Sequence, residues 1–254
     1  FLYKLMKINF KSKYNLAKYI SSTFGYIFKN NNYKCLLYHS IGFDYDNDKI
    51  KIYNLPKNIF KEQMLILKNL KYEVSNNIND NLSNKNRITI TFDDGLLSIY
   101  ENALEILEEL NIPFIIFVSP ELIRSNQNIY MNEKQIKELS LSNLCTIGSH
   151  GFAHKDFTSY NLDELVNLEK KSKYYLEDLI GKKVKYLSYP FGKYNIKIDK
   201  CMKELNYDYT FTSEFGSNKS GSNILKRIDI WNYDNKKQFI MKLKGQWDWL
   251  SYYK

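Results

Sequence analysis

Arg87-Ile88-Thr89-Ile90-Thr91-Phe92 alternates side-chain type with a period of two and runs straight into Asp93-Asp94-Gly95. That alternation, rich in β-branched residues, predicts a strand. The acidic pair and its glycine predict a tight turn at the strand's C-terminal end. Residues 98–110 then carry apolar positions at helical spacing, and 113–118 (Pro-Phe-Ile-Ile-Phe-Val) reads as a second strand. A strand–helix–strand unit opens here, and the fold depends on how often it repeats.

It repeats in both directions. Upstream, 35–39 (Cys-Leu-Leu-Tyr-His) reads as a buried strand ending at His39, and 56–70 as a helix with Ile59, Phe60, Met64, Leu67 and Leu70 on one face. Downstream come a helix at 132–139, a short strand at 145–148 delivering Ser149 and His150, and a long amphipathic helix at 161–180 with Gly181 as its C-cap. Strands at 184–189, 209–212 and 228–231 and a helix at 196–205 complete the series. Such alternation predicts an α/β fold with a parallel sheet and crossover helices. Polar clusters follow strand C-termini repeatedly, which is where parallel barrels build their sites.

The bulk numbers fit one domain. The chain has 254 residues, 44% of them hydrophobic, with only 10 Gly and 4 Pro, no linker-like run and no solenoid repeat. The net charge of +9 favours anionic partners. Lysine is scattered rather than gathered into an Arg-rich patch, so nucleic acid is not expected. Cys35, Cys145 and Cys201 are odd in number and far apart, which reads as free thiols. No apolar run approaches the roughly 18–20 residues that span a bilayer. Residues 1–33 read as a basic, aromatic helical extension preceding a main domain at 34–254. That extension could pack on the domain or lie on a membrane surface. Peripheral membrane association, a lipid-linked glycan partner, and a cytoplasmic or cell-envelope location all stay open.

The chain has three histidines, His39, His150 and His154. His150 and His154 are four apart just after a strand, so both imidazoles could reach one ion; a structural role is the alternative. Asp93 and Asp94 repel each other unless a cation sits between them or one is neutral; an Asp-Asp-Gly turn that caps the next helix is the alternative. Together the clusters fit one task. An Asp and two His leave open positions on a metal, the other carboxylate can take a proton from bound water, and His39 is left as a general acid.

At these residues the sequence resembles a known family. Thr91-Phe92-Asp93-Asp94-Gly95, Ser149-His150-Gly151-Phe152-Ala153-His154 and Ser188-Tyr189-Pro190-Phe191-Gly192 resemble, in order, three motifs of the polysaccharide deacetylases (NodB homology, carbohydrate esterase family 4). The resemblance runs from about Lys34 to Trp231. It implies a distorted (β/α)7-type barrel, an acetylated glycan as partner, and hydrolysis of N-acetyl or O-acetyl groups with one divalent metal, zinc before cobalt or nickel. Carried over, Asp94, His150 and His154 ligate the metal and Asp93 is the general base. The backbone N–H of Phe191 donates to the oxyanion. Tyr189, Pro190, Phe191 and Trp231 line the substrate groove.

The departures from that pattern are specific. Many members carry the catalytic acid as a late Leu-x-His, and this chain has no His after His154. Leu37-Tyr38-His39 instead is similar to the arrangement of the permuted poly-N-acetylglucosamine deacetylases, which assigns the acid to His39. Ser188 stands where the third motif usually has an Arg that tunes the catalytic Asp; Arg227, from another strand, could supply the guanidinium. An impaired sugar-binding protein of the same fold is the rival reading.

Overall fold

The computed structural model describes residues 10–43, 51–81, 86–125 and 127–252. Seven parallel strands close into a barrel in the order β1 (Lys34–Tyr38), β10 (Ile224–Asp229), β9 (Tyr209–Phe215), β8 (Tyr186–Ser188), β7 (Cys145–Ser149), β6 (Phe114–Val118) and β5 (Arg87–Phe92). Pairing of β5 with β1 closes it. The short β4 (Glu73–Val74) borders the first residues of β5, and β2 (Ser40–Ile41) pairs with β3 (Asn54–Leu55) in a separate parallel ladder. Helices between the strands cover the outside, as the strand–helix alternation dictates.

The core has two layers because successive side chains on a strand point to opposite faces. Leu36, Ile90, Phe92, Ile116, Leu187 and Ile228 belong to the large cluster that includes the helices' buried residues. Cys35, Ile115, Phe117, Tyr186, Phe211 and Leu225 form a second cluster, which the alternation places inside the barrel. Gly148 lies against that inner layer, where an added Cβ would come 2.5 Å from the Phe117 ring. A side chain there would push the ring or the strand aside.

The longest helix among the described residues, Leu162–Ile180, has Asn161 as its N-cap, the side chain accepting from the Glu164 N–H, and ends on Gly181 at φ 66°. Both ends match the sequence expectation. Two elements differ from it. The expected helix at 98–110 begins as a π turn, Ile99–Ala103, before Leu104–Glu109. The last strand, expected at 228–231, is Ile224–Asp229, so Trp231 lies beyond it.

The helix Phe10–Phe24 packs on the C-terminal part of the chain. The Tyr14 hydroxyl donates to the Tyr233 carbonyl at 2.9 Å and to Asp234 Oδ1 at 3.2 Å, and Trp249 Nε1 donates to Ser21 Oγ at 2.8 Å. Beneath lies a buried ion pair, Lys242 with Asp234 at 2.6 Å, and the same ammonium donates to the Asp229 carbonyl at 2.7 Å. Among the described residues no helix is long and apolar enough to cross a membrane.

Candidate active site

The inward-facing rows of side chains run out at the C-terminal rim of the barrel. Register places Leu37 level with both Thr91 on β5 and Asp229 on β10. One inward step further, two residues along, the chain presents His39 and Asp93. On the other strands the same parity brings His150 after Gly148, and Ser213 after Phe211. His39, Asp93, Asp94, His150, His154, Phe191, Ser213, Arg227 and Asp229 all line one cavity of about 430 Å³. Tyr53, Leu37, Leu96, Ile129 and Tyr130 supply its apolar walls.

Asp94, His150 and His154 converge within it, each offering a ligand atom, all within 4.8 Å of one another. His150 Nε2 is 3.3 Å and His154 Nε2 3.0 Å from Asp94 Oδ1. His150 is buried and its Nδ1 lies 2.8 Å from the Ser188 carbonyl. That carbonyl can only accept, so Nδ1 donates to it and Nε2 is the ring nitrogen turned towards the site, the orientation metal-ligating histidines need. Two imidazole nitrogens and a carboxylate oxygen form a donor set that suits zinc with positions left open. Asp94 at φ 71° and His154 at φ 50° are in the left-handed region. Such backbone costs about 1–3 kcal/mol at a non-glycine residue and persists where surrounding structure holds it.

Asp93 points into the same cavity but has different company. Arg227 grips it with both arms, Nη1 to Oδ1 and Nη2 to Oδ2, each at 2.7 Å. The guanidinium is itself fixed by the Thr212 carbonyl at 2.8 Å and Ser188 Oγ at 2.9 Å, and Ser188 Oγ also donates to Asp93 at 3.2 Å. So Ser188 touches both members of the pair, while the positive charge comes from β10, across the intervening β1. Burial alone would push the Asp93 carboxyl up; Arg227 and then His150 hold it below the usual carboxylate range.

His39 packs against Tyr53 with ring centroids 4.7 Å apart and planes tilted by 41°, and its buried Nδ1 has no hydrogen-bond partner among the described residues. Asp229 stands beside it, and was not among the residues the sequence singled out for the site. Burial pushes the Asp229 carboxyl up, while His39, Lys242 and Arg227 oppose that. Its signal was available: Asp229 is two residues beyond Arg227 on one strand and so must share its face.

The third motif divides between the cavity and the core. Phe191 is at φ 59° on the rim and 60% exposed, its ring 4.9 Å from that of His154. Tyr189 is not a wall of the cavity: it is fully buried, its hydroxyl donating to Asp199 at 2.9 Å and its ring stacked on Tyr194. Pro190 is also buried, its ring packed against Gly151, and does not line the cavity. Trp231 lines an adjoining cavity rather than this one.

Behind the loop carrying His150 and His154 lies Glu169, fully buried, accepting from the Phe152 N–H at 3.1 Å and from Ser149 and Tyr207 at 3.4 Å. Burial pushes its carboxyl up to about 7 from 4.5. As pH rises through that window the unfolded chain releases a proton that the folded one keeps, so stability falls. At 1.36 kcal/mol per unit the loss approaches about 3 kcal/mol. Glu169→Gln should match wild type near pH 4 and unfold at higher denaturant by pH 8, in metal-free buffer. Parallel pH trends in the two proteins would show that Glu169 does not titrate there.

A family model described as polysaccharide deacetylase matches residues 80–210. YxkH of Bacillus subtilis, named for polysaccharide deacetylation, is 24% identical over 204 residues, 77% of this chain and 70% of that protein. The poly-beta-1,6-N-acetyl-D-glucosamine N-deacetylase of Staphylococcus epidermidis is 31% identical over 140 residues, 50% of this chain and 48% of that enzyme, so the match spans about half of its length. Among solved structures, the deacetylase PplD of Streptococcus pyogenes superposes with a TM-score of 0.76 at 22% identity, over 84% of this chain and 98% of that one. At that identity the likeness is one of fold. BC0361, a polysaccharide deacetylase from Bacillus cereus, gives 0.75 at 25% identity, over 84% and 69% of the two chains.

Proposed function

Because this chain belongs to the polysaccharide deacetylase family, we propose that it hydrolyses N-acetyl groups on a hexosamine-containing glycan with one divalent metal, zinc first among the candidates. The observation that carries this reading is the meeting, in one cavity, of the Asp94–His150–His154 donor set, the Arg227-clamped Asp93 and His39. A chain retained only to bind sugar has no need of a buried, ion-paired carboxylate beside an open metal site. The relative from Staphylococcus epidermidis makes poly-β-1,6-N-acetylglucosamine the first substrate to try.

A metal held by Asp94, His150 and His154 would polarise the acetyl carbonyl and lower the pKa of water. Asp93 is the base: its carboxylate, kept ionised by Arg227, takes a proton as a water oxygen bonds to the carbonyl carbon. The Phe191 N–H donates to the oxygen that becomes negative, an interaction stronger in the transition state than before it. As the C–N bond breaks, His39 gives its proton to the departing nitrogen. Acetate and a free amine result.

The test is acetate release from N-acetylglucosamine oligomers, after chelation and after adding back zinc, cobalt or nickel. Activity that survives complete chelation would remove the metal from the mechanism. His39→Ala sharpens it. An amine must be protonated to leave, whereas 4-nitrophenolate need not be. The variant should lose about 10²–10⁴-fold on the amide, the range for general acid catalysis, and keep most activity on 4-nitrophenyl acetate. Equal losses on the two substrates would deny His39 that role.

A further inference from the structure

The buried Nδ1 of His39 has no hydrogen-bond partner among the described residues, so the placement of this ring rests on its backbone and on Tyr53. The β2–β3 ladder governs both. The Ser40 N–H donates to the Tyr53 carbonyl at 3.3 Å and the Gly42 N–H to the Leu55 carbonyl at 2.8 Å. These bonds tie the strand that follows His39 to the strand that follows Tyr53, and so keep the two rings together. Two short strands are marginal by themselves, so the ladder needs an anchor.

One turn of the helix that follows Asp93-Asp94-Gly95 supplies it. The Ile41 N–H donates to Ser98 Oγ at 3.3 Å, and the Asn102 amide donates to the Ile41 carbonyl at 2.9 Å. Ile41 and Ser98 are fully buried, and both backbone groups of Ile41 are satisfied by side chains of this one turn. Ser98 Oγ also lies 3.0 Å from Ser40 Oγ, and Asn102 Nδ2 lies 3.3 Å from the Gly42 carbonyl. The turn is the π turn Ile99–Ala103, in which the Leu104 N–H donates to the Ile99 carbonyl five residues back. Such turns are rare and recur at functional sites. Here Ile99 and Ala103 stay in the core while Ser98 and Asn102 reach β2. Neither Ser98 nor Asn102 lines the catalytic cavity, so any effect on the reaction passes through the segment they hold.

Resting on the deacetylase reading above and its assignment of the acid to His39, we propose that Asn102, assisted by Ser98, is a positioning residue for that acid. Its amide fixes the backbone just beyond His39 to the helix that follows Asp93 and Asp94. The proton donor therefore keeps its distance from the base and from the reacting carbonyl. A group that protonates the leaving nitrogen must come within about 2.6–3.2 Å of it. A misplacement of about 1 Å can cost 10²-fold in rate, even when the altered residue is remote from the chemistry.

The experiment uses two substitutions. Asn102→Asp keeps the shape of the side chain and removes its N–H donors; Asn102→Ala removes both. Each is loaded with zinc, its metal content is measured, and it is studied alone and combined with His39→Ala. The substrates are an N-acetylglucosamine oligomer and 4-nitrophenyl acetate. Both variants should bind zinc as wild type does and lose about 10–100-fold in kcat on the amide. They should keep most activity on the ester, whose leaving group needs no proton. The amide-to-ester ratio, taken within one preparation, does not depend on its folded fraction. In the His39→Ala background no acid is left to position, and the same substitutions should move the ratio by less than about threefold. Equal losses on the two substrates, an unchanged ratio, or a full second loss on top of that of His39→Ala would overturn the positioning role and leave the deacetylase standing. A ratio unmoved by His39→Ala itself would remove the acid assignment and this proposal with it. Acetate release from no glycan would overturn the deacetylase reading and everything that rests on it.

Discussion

Asp93→Asn lowers kcat for acetate release by about 10²–10⁴-fold, the contribution expected of a positioned base, with metal stoichiometry and KM near those of wild type. The amide has the shape of the carboxylate and can still accept from Arg227, but it cannot hold a proton. Asp93 Oδ2 lies 3.7 Å from His150 Nε2, whereas Asp94 Oδ1 lies within 3.3 Å of both imidazoles. That difference divides the roles: Asp94 with the histidines, Asp93 with Arg227. The variant should also be less stable, because Arg227, 1% exposed, loses its counter-charge. Kinetics are therefore read on protein whose zinc content has been measured. Loss of zinc along with activity would make Asp93 a ligand. A decrease under about tenfold would mean that the proton goes elsewhere.

The site was largely legible in the sequence because its main parts are local. Asp93-Asp94 ends one alternating run, His150 and His154 lie four apart after another, and the two clusters meet in one cavity. Seven strands in closed order follow from the same alternation once the family resemblance is added. What was not legible depends on pairing between distant segments. Asp229 becomes a neighbour of His39 only because β1 pairs with β10 on one side while it pairs with β5 on the other. Tyr189 looks like a groove aromatic until Asp199, ten residues on, is found to accept its hydroxyl in the core. Trp231 rests against Lys242, whose ammonium lies 3.8 Å from its ring centroid, although the sequence context of that residue suggests an ordinary exposed helix lysine. Glu169 likewise sits on a helix rich in exposed charge, and only the packing of Leu162–Ile180 against β7 buries it. Burial of a polar residue is a tertiary property, and no local pattern carries it.

Arg227→Met should produce the largest change in stability. Removing one partner of a buried ion pair costs roughly 3–5 kcal/mol, because the other charge stays in the interior. Here the abandoned group is Asp93, and its response has a definite sign. In wild type its folded carboxyl titrates below the unfolded one, so the pair contributes stability above the unfolded value, near 3.9, which is lost as pH falls further. Without the guanidinium, burial dominates and the carboxyl titrates above its unfolded value. The folded variant then keeps a proton that the unfolded chain releases, and its stability falls as pH rises instead of holding. The same inversion reaches catalysis, because a base that is protonated cannot act: the acid limb of kcat/KM moves to higher pH. Arg227→Lys keeps a charge but not the two-armed grip, and should recover part of the stability and less of the rate. Unfolding followed across pH in metal-free buffer, beside pH–rate profiles with zinc, separates this account from simple loss of packing. A packing defect lowers stability equally at every pH and leaves the acid limb where it was. An unmoved limb in Arg227→Met would mean that Ser188 and the metal, rather than Arg227, keep Asp93 ready to accept its proton.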